Sequence, residues 1–347
     1  MILLLSNKKI ETFINSNYFN QFMALKISPY SNSLYPAANC KTTGYHRVWI
    51  RDNIYTNLGI EAAGDIKTAV KNIHALLDIL LKHEYKIDWM IKQPYPKLRW
   101  RYIHPRYDEQ GNEILEEWGN KQNDAVGALL WRIGELNKKT KILRDENDKR
   151  IVQKLVYYLE AIEFWHDKDN GMWEENEEVH ASSVGACLAG LLNIQNIVHV
   201  PLHLIAHAEE TLKQLLPRES KTKDVDLALL SLIYPYNIVT KEQAKAIIKN
   251  VENKLLREKG VIRYVGDKYY YKNGEAQWTM GLPWLAICHK ILGNNAKYIY
   301  FVEKTRNALT DKGELPELYF ADSDEHNENS PLFWSMSLKA VAENFKV

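Results

Sequence analysis

The chain has 347 residues, with 45 Lys and Arg against 44 Asp and Glu and a formal net charge of +1. This balance excludes nucleic acid and an anionic membrane surface as the main partner, since both select for clustered positive charge. The hydrophobic share of 46% is that of a chain with a buried core, and a prior of about 150 residues per domain admits two domains or one large helical barrel.

Taken in chain order, apolar residues at helical spacing, punctuated by Gly, Pro, Asn and Asp, predict helices over 7–26, 52–63, 65–83, 121–138, 146–166, 181–195, 201–216, 224–233, 240–256, 278–292, 294–309 and 331–345. Twelve helices form six antiparallel pairs, which predicts an all-α fold, an (α/α)6 barrel of six helical hairpins. A helical solenoid would need a fixed sequence period, and none is present. Gly260–Tyr264 and Lys268–Tyr271 read as short strands around Gly266-Asp267, a hairpin or irregular loop. The long connections at 84–120 and 310–330 mix Pro, Gly and Asn with aromatic residues, the composition of structured loops that carry function. No composition shift or Ser/Gly-rich linker divides the chain, so 1–347 is expected to be one domain.

The apolar run Ile2–Leu5 is too short for a signal-peptide core, and no stretch approaches the roughly 18 apolar residues of a membrane span. Cys40, Cys187 and Cys288 lie far apart and are odd in number, which predicts a reducing, cytoplasmic setting. His199, His203 and His207 repeat at fourfold spacing, but no acidic metal signature accompanies them. There is no Gly-rich phosphate loop and no Ser or Cys nucleophile motif. No metal or cofactor is expected, and the oligomeric state is not encoded in any motif.

Four stretches place reactive side chains at junctions between loops and helices. In Trp49-Ile50-Arg51-Asp52, the aspartate either caps the helix or joins Arg51 in gripping vicinal hydroxyls, with Tyr45 and Trp49 as walls. In Trp118-Gly119-Asn120-Lys121-Gln122-Asn123-Asp124, the polar residues serve as caps or as ligand groups, and Trp118 offers an apolar face. Trp173-Glu174-Glu175 sets carboxyls beside an indole, where poor solvation favours the protonated form that a general acid needs. In Leu315-Pro316-Glu317-Leu318, proline stiffens the backbone that carries Glu317, while the acids from Asp322 to Glu328 read as an exposed loop. Ten Trp and 20 Tyr against 8 Phe add rings with a polar edge, suited to a wet binding site. Two separated carboxylates with aromatic and polar clamps define a candidate site for glycoside hydrolysis.

Trp49-x-Arg51-Asp52, Trp118-Gly119-x-x-Gln122-x-Asp124, Trp173-Glu174-Glu175, Gly260-x-x-Arg263-Tyr264 and Leu315-Pro316-Glu317, in this order, resemble glycoside hydrolase family 15, the glucoamylase family. Ala181-Ser182-Ser183-Val184-Gly185 and Leu315-Pro316-Glu317-Leu318-Tyr319 are similar to the N-terminal domains of phosphorylase kinase regulatory subunits. The family resemblance implies an (α/α)6 barrel with a pocket at one mouth and an inverting exo-acting α-glucosidase that releases glucose from an α-glucan, a maltooligosaccharide or trehalose. It implies Glu174 as general acid and Glu317 as general base, with carboxyls roughly 6.5–9.5 Å apart to admit a water. The bare dipeptide does not decide between Glu174 and Glu175. The resemblance further implies that Tyr45 orients the water and that Arg51 and Asp52 hold hydroxyls of the nonreducing glucose. Arg263 and Glu175 would complete the polar shell, Trp118 and Trp278 would form walls, and Asp124 belongs to the matched motif. The roughly 40 residues ahead of the first motif are too few for the β-sandwich domain of prokaryotic members. The kinase-subunit likeness and Leu318, where many hydrolases have Gln, point instead to a carbohydrate-sensing protein that retains the pocket.

Overall fold

The computed structural model describes residues 26–116 and 118–345, so the helix expected over 7–26 falls outside the described residues except for its last position. Eleven α-helices are present among the described residues: α1 (Ile50–Ala62), α2 (Ile66–Lys82), α3 (Glu84–Lys92), α4 (Asn123–Asn137), α5 (Glu146–Ile162), α6 (Ala181–Ile194), α7 (Leu202–Leu215), α8 (Lys241–Leu255), α9 (Gly281–Ile291), α10 (Asn295–Asn307) and α11 (Phe333–Asn344). A short 3-10 helix, Leu227–Leu232, stands between α7 and α8.

Residue composition sorts these elements into two rings. α1 buries every residue from Ile50 to Ile60, and α6 is built almost wholly of buried Ala, Ser, Gly and Leu. Helices buried on all sides belong inside. In contrast, α2, α5 and α8 bury a single stripe and start at side-chain caps: Asp65 on Thr68, Asp145 on Asn147 and Asp148, and a capping box between Thr240 and Gln243. The inner ring runs α1, α4, α6, Leu227–Leu232, α9, α11, each packed on the next, and α11 returns to α1. The fold is an (α/α)6 barrel.

Glycine sets the closeness of the ring. A Cβ on Gly127 of α4 would lie 2.3 Å from the backbone nitrogen of Cys187 in α6, so the two helices touch backbone to backbone.

Two small antiparallel pairs brace one rim of the barrel. β1 (Val48–Trp49) pairs with β2 (Arg106–Tyr107), and β3 (Gln277–Trp278) pairs with β4 (Leu318–Tyr319). β1 leads directly into α1, and β3 stands just ahead of α9. The N-terminal ends of the inner helices therefore share one mouth with the loops that precede them.

Several local expectations are corrected. The connection 84–120 holds a helix, α3, because Ile87 and Met90 form an apolar stripe against α5. Of the hairpin or irregular loop expected over 260–271, the irregular loop forms: Val261 pairs with Trp278, and Arg263 binds Asp267 four residues on, which closes the loop on itself. The helix expected from 278 starts at Gly281, since Trp278 is held in β3. Residues 224–233 form only the 3-10 turn, which Asp226 caps at Ala228.

Candidate active site

The mouth contains a small cavity of ≈ 50 Å³. Its polar lining is Tyr45, Arg51, Asp52, Glu174, Arg263 and Glu317, and its walls include Trp49, Trp173, Trp278 and Trp334. These residues come from loops ahead of α1, α6, α9 and α11 and from the first turns of α1 and α11, so the ring gathers positions nearly 300 residues apart in sequence.

Glu174 sits in the loop ahead of α6 with φ at +62°, in the left-handed region. Such a conformation in a residue other than Gly costs about 1–3 kcal/mol and needs support from its surroundings. Asn170 gives that support: its backbone oxygen accepts from the Glu175 N–H, and its side chain donates to the Glu175 carbonyl. Gly119 lies so close that a Cβ there would stand 2.6 Å from the Glu174 carbonyl oxygen. The carboxyl accepts only. Its Oε1 takes Trp49 Nε1 at 2.6 Å, Gln122 Nε2 at 2.8 Å and the Arg51 guanidinium at 3.4 Å, and its Oε2 takes Trp118 Nε1. The indoles thus meet Glu174 with their N–H edges and not with the apolar face expected of the neighbouring Trp173, whose own N–H turns away to Asp226 at 2.7 Å.

Glu317 is fully buried just ahead of β4. Its Oε1 accepts from the Tyr45 hydroxyl at 2.5 Å, and its Oε2 from Asn329 at 2.8 Å and from Asn327. Burial lifts its pKa above the ordinary 4.5, while the Tyr45, Asn329 and Asn327 donors and the charge of Arg263 pull the other way. Tyr45 also meets the Tyr269 hydroxyl at 2.9 Å, and burial beside Glu317 holds the Tyr45 proton on well above the usual phenol range.

Asp52 does not cap α1, which has no side-chain cap; it lies in the first turn and faces the cavity. Burial raises its pKa to about 7 against the pull of Arg51, with the charges of Glu174 and Glu317 pushing the same way as burial. Arg51 is held from behind by Gln122 at 2.8 Å and Asp124 at 3.1 Å. Arg263 binds Asp267 through two nitrogens and packs over the rings of Trp278 and Tyr269, each 4.9 Å away. The indole N–H groups of Trp278 and Trp334 are buried at the cavity without partners among the described residues.

Three residues expected at the site stand beside this cavity. Asp124 is fully buried behind Arg51 and orients it without reaching the lining. Glu175 binds Arg263 at 2.9 Å and Lys223 at 3.0 Å and faces a separate surface cavity with Tyr264. Trp118 is 41% exposed and lines an outer chamber that shares Tyr45 and Trp49 with the cavity. Of the three histidines at fourfold spacing, His203 pairs with Glu160 at 3.0 Å and His207 stacks on Trp165.

Sequence reasoning missed Asn327, inside the stretch read as an exposed acidic loop, and Asn329 just after it. The structure buries both, and their alternation with the polar His326, Glu328 and Ser330 was the available signal, a period-two pattern with amides facing inward. It also left Tyr269 and Trp334 without roles, although both shape the cavity or its carboxyls.

A six-hairpin barrel that gathers carboxyls, arginines and indoles at one mouth is the architecture of the barrel glycosidases. The model of the glycosyl hydrolases family 15 matches residues 13–347, and the chain belongs to this family. A glycosidase variant solved in complex with glucose shares the fold with a TM-score of 0.79 at 19% identity, covering 97% of this chain and 98% of that one. A bacterial glucoamylase complexed with acarbose gives 0.66 at 16% identity over 95% of this chain and 55% of that one. Among curated proteins, the phosphorylase b kinase regulatory subunit alpha, skeletal muscle isoform, of Oryctolagus cuniculus is 25% identical over 81% of this chain. The chain spans only 28% of that subunit. No helix among the described residues is long and apolar enough to cross a membrane.

Proposed function

We propose that the chain is an inverting, exo-acting α-glucoside hydrolase that releases glucose from an α-glucan, a maltooligosaccharide or a trehalose-like substrate. The observation that carries this reading is the unlike setting of Glu174 and Glu317, two carboxyls from different loops that face one cavity. Glu317 acts as general base: it takes a proton from a water held by Tyr45 as the water oxygen attacks the anomeric carbon. Glu174 acts as general acid and gives its proton to the glycosidic oxygen as the bond to the anomeric carbon breaks. Three donors hold its Oε1 and only Trp118 holds Oε2, so Oε2 is the oxygen that serves the glycosidic oxygen. Trp118, the exposed donor, turns aside when the substrate enters. Proton exchange with solvent then resets both groups.

Arg51 donates to sugar hydroxyls, and Asp52 accepts from them or donates to them according to its protonation. The unpaired N–H groups of Trp278 and Trp334 are further donors to the ring. The glucose and acarbose bound by structurally similar proteins support a sugar at this mouth. Incubation with maltooligosaccharides, isomaltose and trehalose, with enzymatic detection of glucose, tests the reading. Release of glucose from at least one is expected, and no release from any of them contradicts it.

The kinase-subunit relatives favour a second reading, a sugar-sensing protein with the same pocket and no turnover. Calorimetry separates the two: saturable binding of maltotriose without product supports the sensor.

A further inference from the structure

Outside the cavity lies the chamber of ≈ 210 Å³ that Trp118 lines. Its charge differs in sign from that of the cavity. The cavity sets Arg51 and Arg263 against Asp52, Glu174 and Glu317, whereas the chamber sets Lys41, Arg47 and Arg106 against Glu116 alone. Glu116 is already engaged in a two-pronged pair with Arg47.

Arg106 is the unusual member. It is only 2% exposed, yet its Nε and Nη2 have no partner among the described residues. Its guanidinium lies 4.6 Å from the centre of the Trp118 ring and 5.6 Å from that of Trp49, while Glu174 and Glu116 act on it by charge with no hydrogen bond to it among the described residues. The nearby carboxylates are committed elsewhere, Glu116 to Arg47 and Glu174 to Arg51 and three neutral donors. A buried guanidinium with unpartnered N–H groups is costly, and such groups are normally paired. Its fork of N–H donors matches an oxyanion.

We propose that this chamber is an anion site and that the favoured substrate is an α-glucoside with a phosphate on the leaving-group sugar. The assignment rests on the hydrolase reading. A general acid stands beside the leaving group, and the indole that touches Glu174 Oε2 also walls the chamber, so the departing sugar lies there. Arg106 binds the phosphate through its free edge, and Arg47 and Lys41 face it from the rim.

The test compares maltose and trehalose with the same disaccharides phosphorylated on the 6-hydroxyl of the leaving glucose. For the wild type, kcat/KM is expected to be about 10- to 100-fold higher with the phosphate, the factor of one charge-assisted hydrogen bond. This preference ratio should fall towards unity in Arg106→Gln and partly in Arg47→Gln, a substitution at a less buried position. A wild-type ratio of one, with the neutral sugars turned over, overturns the anion site and leaves the hydrolase reading intact. If no sugar of either kind is turned over, the hydrolase reading fails. Calorimetry with glucose 6-phosphate and glucose then decides the site: tighter binding of the phosphate that Arg106→Gln abolishes supports it, and equal affinities overturn it. If inorganic phosphate raises turnover of the neutral sugars to the level of the phosphorylated ones, a free anion occupies the chamber and the substrate assignment falls.

Discussion

Replacing Glu317 by Gln separates chemistry from folding. The amide oxygen can take the place of Oε2 and keep the Asn327 and Asn329 donors. The amide NH2 then faces Tyr45, whose hydroxyl is free to accept it by turning its own hydrogen to Tyr269 at 2.9 Å. No buried polar group is orphaned. Burial holds the native carboxyl more protonated in the folded than in the unfolded chain, so the folded state binds more protons above pH 4.5. Stability from this group therefore falls as pH rises from there through the raised value, by about 1.4 kcal/mol for each unit of the shift. Gln removes that cost, so Tm at pH 7 should stay level or rise. Loss of the base should lower kcat by about 10²–10⁴ or more, some 3–5 kcal/mol of transition-state stabilisation. Glucose release from the best substrate of the panel and a thermal melt on the same sample measure both quantities. A folded Glu317→Gln variant within roughly tenfold of the wild-type rate would refute the role given to Glu317.

Two further predictions follow from charge and from packing. The charges of Glu174 and Glu317 both act on Asp52 across the cavity. Asp52→Asn should therefore lower the Glu317 pKa and move the acidic limb of the pH–kcat profile to lower pH, and an unmoved limb contradicts the coupling. Gly127→Ala forces a Cβ to within 2.3 Å of the Cys187 nitrogen and should cost about 2–3 kcal/mol in urea unfolding. Gly266→Ala, at φ +89° with open space around it, should cost about 1 kcal/mol. Equal costs at the two positions would contradict the backbone contact between α4 and α6.

The barrel was legible because inner and outer helices leave different imprints. Outer helices such as α2, α5 and α8 show one apolar stripe with Asp or Thr caps, and inner α6 is apolar or small on all sides. Leu227–Leu232 was harder, since a run of buried apolar residues has no period that tells a helix from a tight turn. The carboxyls were legible because Trp, Pro and Gly mark the bends that present them. Their partners were not. Donors such as Asn327, Asn329 and Gln122 act by position across the mouth, and Arg106 looks like any strand residue until its missing hydrogen-bond partners are seen. Adjacent residues also diverge: Glu174 points into the cavity while Glu175 faces its own, because the left-handed turn at Glu174 rotates the two side chains apart.

The central claim, acid and base on opposite faces of the anomeric carbon, is tested most directly by the configuration of the first product. Proton NMR of an α-glucoside digest, recorded before mutarotation, should show β-glucose appearing first. α-Glucose as the initial product would contradict inversion and with it the roles assigned to Glu174 and Glu317.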